Sequence, residues 1–485
     1  MSKGALREKG LSHDEIISEL EGHKANDLKW RGGSAFSYVY HAGEDVERVG
    51  KEAYMMYLSE NGLDPTVFKS LLEFDTAVVE IGLKHLNAPE GAVGNFTSGG
   101  TESIICAVKA ARNYARKVRG IAEPNIVIPV TAHAAFHKAA HYLDMECRVA
   151  PVDTTTFKAD VDAMAELTDA NTALLVGSAA SYAHGVIDPI AELGQLALDR
   201  GVLLHVDGCI GGWLLPYFKR LGGTVEDFDF SVPGVTSISM DYHKYAYCPK
   251  GASVVLYRDA ALRHHQIFSC ADWSGYTVVN AVVQSSRTGG PMAAAYAVLN
   301  YVGDEGYLEL ARKLKTETEI VIDGVESIDG LHIMGEPRMS LLAIGIDPGG
   351  PSPFEVADLM TELGWHVQPQ LSMGDYPANI HLTIAPQNVG RMEDFIDDLA
   401  DAYDRAEEAH SKKKGPGFNP AAAMLNNLDI SSIDANAISE LLKMVGVNGS
   451  EMPEKMGPIH TLLDSMPTDA RNHVLTAYFN ALYTS

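Results

Sequence analysis

The chain has 485 residues, 46% apolar and 21% charged, which places it among globular proteins of two or three domains with a large buried core. Its 64 acidic residues against 38 basic ones give a formal charge of −26. That balance excludes nucleic acid as a general partner, because a phosphate backbone needs a basic face, but leaves room for a local pocket that holds one phosphate.

The N-terminal "MSKGALREKGLSHDEIISELEGHKAN" is charged and lacks an apolar run, unlike a signal peptide or membrane anchor. No later apolar stretch approaches the roughly 20 residues that span a bilayer. Residues 1–60 read as an arm followed by a helix, with Asp45 as its N-cap and Asn61-Gly62 as its stop. A second helix is predicted over 66–86 from its apolar spacing. From about 90 to 260, short apolar runs alternate with amphipathic stretches. "NIVIPV", "TALLVGSAA", "GVLLHVDG", "TSISMD" and "GASVVLYRD" read as buried strands, with "TESIICAVKAARNYARKV" and "PIAELGQLALDRG" as helices between strands. Such alternation predicts an α/β domain with a mostly parallel sheet covered on both faces, here assigned to 61–290. Residues 291–410 read as a smaller α/β unit. It has a long helix over about 292–328, strands "HIMG", "SLLAIGI" and "NIHLTIAP", and a closing amphipathic helix. The Pro/Gly-rich "SKKKGPGFNP" then opens a linker and helical tail, 411–485.

The cysteines, Cys106, Cys147, Cys209, Cys248 and Cys270, are odd in number, widely spaced and without a CxxC pair. They read as reduced thiols of a cytoplasmic protein, not as disulfides or zinc ligands.

Four segments carry candidate chemistry. In "NFTSGGTESIICAVKAAR" a small-residue loop runs into a helix, so backbone N–H groups at its positive end offer a phosphate site; an ordinary N-cap loop has the same look. Gly99 and Gly100 would allow close approach. In "HVDGCIGGW" an apolar run ends at Asp207, a place for a carboxylate that pairs with a cofactor ring nitrogen or simply caps the next helix. In "MDYHKYAYCPKG" His243 and Lys244 follow a strand, and Tyr242, Tyr245 and Tyr247 could desolvate the amine; a lone lysine here would otherwise be a surface residue. In "TAHAAFHKAAHYL" His133 could stack on a ring or move protons, while His137 and His141 have helical metal spacing but no third ligand. The order of these segments, with βα units between them, matches the needs of pyridoxal phosphate (PLP): a phosphate site, a stacking group, a ring-nitrogen partner and a lysine amine.

On these residues the chain resembles the group II PLP-dependent decarboxylase superfamily of fold type I, and within it the sphingosine-1-phosphate lyase branch. The likeness covers about 30–405 and rests on "NFTSGGTES", "HAAFHKAA", "YAHGVIDPI", "HVDGCIGGWLLPY", "SISMDYHKYAYCPKGASVVLYR" and "SSRTGGPMAAAYA". It implies a fold type I (aspartate aminotransferase-like) large domain with a mostly parallel seven-stranded sheet, a small C-terminal α/β domain and an N-terminal arm. It implies Lys244 as the Schiff-base lysine, with His243, Gly100 and Thr101 at the cofactor phosphate. Asp207 would then lie at the ring nitrogen and His133 on the ring. Lys250 and Tyr182 would serve near the reacting centre, and Lys250 with Tyr38 or Tyr40 on the substrate side. Ser286 and Gly289 of "SSRTGG" would reach the phosphate from a neighbouring subunit, making a homodimer with shared sites. The implied reaction is retro-aldol cleavage of a phosphorylated sphingoid base to a long-chain aldehyde and phosphoethanolamine. Decarboxylation of glutamate, aspartate or an aromatic amino acid is the alternative. Lys250, in the Pro-Lys-Gly continuation, favours the lyase. Two departures, Tyr242 before the His-Lys pair and Thr288 where the branch has proline, are expected to bear on the pocket and so on the substrate. The tail has no counterpart in the resemblance; it reads as packing on the dimer or as a regulatory appendage.

Overall fold

The computed structural model of the chain describes residues 6–412 and 455–483. A seven-stranded sheet forms the larger layer. Its strands are Val93–Thr97 (β1), Asn125–Pro129 (β2), Glu146–Ala150 (β3), Thr172–Ser178 (β4), Leu203–Asp207 (β5), Val235–Asp241 (β6) and Ser253–Tyr257 (β7). They lie in the order β1-β7-β6-β5-β4-β2-β3. All neighbours pair in parallel except β7, which runs antiparallel to both β1 and β6. β4 and β7 are buried along their whole length, which is why they read as continuous apolar runs without alternation. The helix Gly100–Lys117 turns Ile104, Ala107, Val108, Ala111 and Ala115 inward at three- and four-residue spacing.

Beyond an exposed hairpin, Phe268–Cys270 (β8) and Val278–Asn280 (β9), the helix Gly290–Glu326 leads into the small domain. This helix is interrupted at Gly303, where φ is +64°. The small domain is an antiparallel sheet of Leu331–Ile333 (β10), Leu341–Ile346 (β11), Gln368–Gln370 (β12) and Asn379–Thr383 (β13), ordered β10-β11-β13-β12. Helices Pro353–Glu362 and Met392–Lys412 pack with it.

The expected strands β2, β4, β5, β6 and β7 are all present; β1 and β3 were not foreseen. The first 60 residues are divided rather than a free arm. Phe36 donates its N–H to His366 O and accepts at its own carbonyl from Thr383 N–H, so this stretch joins the small sheet. The helix Glu44–Met56 instead lies along Gly290–Glu326. Its N-cap is Gly43, not Asp45; Asp45 sits inside the first turn and accepts from Tyr301 Oη at 3.1 Å. The helix stops at Met56, short of Asn61-Gly62. The second helix begins at Lys69 and ends at His85. Most of the linker lies outside the described residues, but the tail returns as two helices, Gly457–Asp464 and Thr468–Leu482.

Candidate active site

The polarity of the sheet brings the C-terminal ends of β1, β4, β5 and β6 to one edge, where open α/β sheets bind ligands. β1 ends in the loop that starts the helix Gly100–Lys117, β5 ends at Asp207, and β6 ends at Asp241 just before His243 and Lys244. A cavity of about 350 Å³ is lined by Ser98, Gly99, Gly100, Thr101, His133, Asp207, Asp241, His243 and Lys244, among others. A second, of about 310 Å³, shares His133, Asp207, Cys209 and Lys244 with it and adds Tyr38, Tyr40, Tyr182 and Lys250. The two cavities therefore meet at Lys244.

The loop Ser98–Thr101 is braced from below. Glu102 accepts from Ser98 N–H at 2.7 Å and from Gln284 N–H at 3.0 Å, while Ser103 Oγ lies 2.6 Å from Thr97 Oγ1 and 2.9 Å from Ser253 Oγ. A side chain at Gly100 would not fit: its Cβ would stand 2.7 Å from Cys209 Sγ and 2.9 Å from Asp241 Oδ2. Asp207 is held by Cys209 N–H at 3.0 Å and Ser239 Oγ at 3.4 Å on the same oxygen, and Ser239 also contacts the buried ring of His205. His133 uses Nδ1 to accept from Ala135 N–H at 3.1 Å, which fixes its ring at the start of the helix Ala135–Leu143.

Lys244 Nζ lies 2.9 Å from Asp241 Oδ2. Burial alone would lower this ammonium, but Asp241 outweighs it and holds Lys244 above the usual lysine range. Asp241 is buried too, and the attraction of Lys244 overcomes that burial and keeps its carboxyl below the ordinary value. Asp241 was not singled out as a site residue from sequence. The signal was present, because a carboxylate three residues before a lysine at a strand end can reach back to it. Lys250 differs. Burial, and then the charge of Lys244, push it down to about 8. Its ammonium stands 4.9 Å from the Tyr40 ring centroid. Tyr182 donates to Gln368 Oε1 at 2.7 Å and lies against His381 with 4.3 Å between ring centroids. Burial raises the phenol above its normal range, so it is a protonated donor at neutral pH.

One expectation, that for the tyrosines, changes. Tyr242, Tyr245 and Tyr247 line neither cavity. Tyr242 is fully buried on the core side, donating to Val78 O at 2.7 Å and packing edge-on against Trp213. Its departure from the family pattern therefore faces the core instead of the substrate. Thr288, like Ser286 and Lys250, lines a third cavity of about 300 Å³, and its hydroxyl donates to Leu58 O at 2.7 Å. Gly289 lines none of these cavities. It donates to Glu60 O, and an added Cβ would meet Leu71 at 2.5 Å.

The donor set fits PLP. The loop Gly99–Thr101 offers backbone N–H groups to a phosphate, and His243 Nδ1 is buried in the same cavity wall with no hydrogen-bond partner. An amine, Lys244, and a carboxylate, Asp207, line the same space. Residues 5–346 match the pyridoxal-dependent decarboxylase conserved domain, so the chain belongs to the pyridoxal-dependent decarboxylase family. Its cofactor is pyridoxal 5′-phosphate. The relatives it resembles are narrower in kind. It is 38% identical to the sphingosine-1-phosphate lyase of Arabidopsis thaliana, over 87% of this chain and 79% of that one. It is 35% identical to the Dictyostelium discoideum sphingosine-1-phosphate lyase, over 90% and 81%. The solved sphingosine-1-phosphate lyase of Burkholderia pseudomallei superposes with a TM-score of 0.80 at 34% identity, covering 88% of this chain and 98% of that one. A glutamate decarboxylase of Lactobacillus brevis shares the fold, with a TM-score of 0.74 at 21% identity over 84% and 96%. Residues 419–481 match a second profile, described as "Pyridoxal-dependent enzyme, C-terminal putative HTH domain".

Proposed function

We infer that the chain is a PLP-dependent carbon–carbon lyase that cleaves a phosphorylated sphingoid base between C2 and C3, releasing a long-chain aldehyde and phosphoethanolamine. The observation that carries this reading is Lys250. It is a second lysine on the substrate side of Lys244, held near pKa 8, where it can exchange a proton at neutral pH.

Bound PLP supplies an electrophilic carbonyl for the substrate amine and a ring that takes up the electron pair left by the broken bond. Lys244 is the amine that holds the cofactor and yields it to the substrate. Gly100, Thr101 and His243 hold its phosphate, Asp207 keeps a proton on its ring nitrogen, and His133 covers its face. On the substrate side, Lys250 in its neutral form takes the proton of the C3 hydroxyl, and the Tyr182 hydroxyl orients that oxygen. Tyr38 and Tyr40 line the approach for the chain. The other ring nitrogen of His133, whose Nδ1 accepts from Ala135 N–H, is a donor for the substrate phosphate. The proposed assembly is a homodimer in which a second subunit's Ser286 and Gly289 complete the phosphate cup; Ser286 is exposed on this chain, as such a reach requires. No helix among the described residues is long and apolar enough to cross a membrane. The five unpaired thiols fit a reducing, cytoplasmic setting.

The test is product analysis of the PLP-loaded protein on a phosphorylated sphingoid base and on glutamate, aspartate and aromatic amino acids. Aldehyde and phosphoethanolamine from the first substrate are expected. Carbon dioxide from an amino acid with no aldehyde from the sphingoid base would make the protein a decarboxylase.

A further inference from the structure

The tail helices match a profile named for a nucleic-acid-binding motif, yet residues 419–481 carry three basic side chains against seven acidic ones, the wrong sign for a phosphate backbone. Where they are described, they are built into the small domain. Asp358, on the helix Pro353–Glu362, accepts from Met456 N–H at 2.9 Å and Gly457 N–H at 3.0 Å and so caps the first tail helix. Lys455 pairs with Glu362 at 2.7 Å. Ile459, Leu462, Leu463 and Met466 form a buried cluster with Ala470 and Val474 of the second tail helix, and Leu371 of the small domain packs against it. Arg471 donates to the carbonyls of Leu463, Asp464 and Met466 and closes the turn between the two helices.

The far end of the first tail helix touches the active-site side of the domain. Asp464 Oδ1 accepts from Ser372 N–H at 2.6 Å and from Ser372 Oγ at 2.7 Å. Ser372 opens the segment that joins β12 to β13. That segment is pinned again at Tyr376, whose hydroxyl accepts from Val152 N–H at 3.0 Å and lies 3.1 Å from Val152 O in the large domain. At its other end, β12 carries Gln368, the residue that receives the Tyr182 hydroxyl at 2.7 Å. An unbroken path thus runs from the tail to the substrate-side cavity: Asp464, Ser372, β12, Gln368, Tyr182.

We propose that the C-terminal helix pair is a positioning element of the active site. Through Asp464, Ser372 and Gln368 it fixes the Tyr182 hydroxyl, which rests on the reading of Tyr182 given above. Gln368 and Asp464 touch neither substrate nor cofactor in this role; Gln368 holds the Tyr182 proton and so sets where the phenol oxygen stands and which way its lone pairs face. The segment that the tail holds at Ser372 also reaches the large domain, through Tyr376 at Val152, so release of the tail loosens the substrate side and leaves the loop Ser98–Thr101 as it is.

The experiment uses the full chain loaded with PLP. Asp464→Ala should lower kcat/KM for the phosphorylated sphingoid base roughly three- to tenfold, the scale of one lost hydrogen bond felt through a relay, with cofactor absorbance and PLP affinity unchanged. Asp464→Asn keeps an acceptor for Ser372 and should recover most of the loss. Tyr182→Phe with Asp464→Ala should be no slower than Tyr182→Phe alone, because both act through one hydroxyl. Hydrogen exchange in Asp464→Ala should rise at 368–378 and 181–185 and stay unchanged in Gly100–Lys117. Ser372→Ala, which deletes only the hydroxyl contact, reads the same quantities if Asp464→Ala does not fold. Unchanged kinetics, additive losses in the double variant, or faster exchange confined to 455–483 would each overturn the proposal. If the wild-type chain releases no aldehyde, the functional reading fails, and the exchange pattern alone then decides whether the tail is coupled to the cavity.

Discussion

The ion pair between Lys244 and Asp241 sets a condition on cofactor loading. An amine must be neutral to attack a carbonyl, and the partner carboxylate opposes that. The charges are 2.9 Å apart, with the Lys244 side chain 23% and the Asp241 side chain 2% exposed. At an effective dielectric near 20, such a pair attracts by about 6 kcal/mol. If relaxation leaves only a third of that, about 2 kcal/mol, Asp241→Asn moves the ammonium by roughly 1.5 pH units. The sign is downward, since burial lowers Lys244 once its partner is neutral. The cofactor-free variant should therefore take up PLP faster than wild type at neutral pH, with the midpoint of its rate–pH profile shifted down by that amount. Stopped-flow absorbance on mixing with PLP measures both. A midpoint that stays within about half a unit of wild type, or moves upward, would refute the assignment of Asp241 as the group that keeps Lys244 charged.

Lys250→Met should retain PLP absorbance and lose roughly a hundredfold or more in kcat. In wild type the activity should rise with pH through about 8 as Lys250 becomes neutral, and steady-state kinetics of the variant should lack that limb. Gly100→Ala, whose Cβ would collide with Cys209 and Asp241, should weaken PLP binding at least about tenfold by equilibrium dialysis, the scale of one kcal/mol or more of strain. Burial lowers His205 to about 4 and His381 to about 3, both below their ordinary 6.5. Lowered folded values mean that their contribution is present above pH 6.5 and is lost as the pH falls toward 4 and 3. Unfolding free energies from urea titrations at pH 7 and pH 5 should differ by roughly 2 kcal/mol for each buried ring.

The strands legible in the sequence were those whose burial on both faces leaves an apolar run, such as "TALLVGS" in β4. β1 and β3 are not legible in the sequence, for physical reasons. "VGNFT" carries a glycine and an asparagine and becomes a strand only through its pairing with β7, while "ECRVA" is a polar edge strand. The cofactor cavity was largely readable, because Ser98–Thr101, Asp207, His243 and Lys244 all sit at ends of elements whose order fixes the edge they share. What chain order could not show was which way side chains turn. Tyr242 and Lys244 are two residues apart, yet one enters the core and the other the cavity. Nor could it show contacts between distant segments. Gln368 beside Tyr182 and Asp464 beside Ser372 are polar residues with no local pattern, joined only by tertiary packing.

The placement of β7 has a consequence for the growing chain on the ribosome. β1, which carries the phosphate loop, touches the rest of the sheet only through β7, made about 160 residues later. β6, which delivers Lys244, lies on the other side of β7. A nascent chain that has emerged only as far as Lys244 holds Gly100, Thr101, His133, Asp207, His243 and Lys244, the residues proposed to hold the cofactor, yet lacks the strand that sets them beside one another. Capture of the cofactor thus waits until β7 closes the sheet, and the chain does not meet PLP with a half-built site during synthesis.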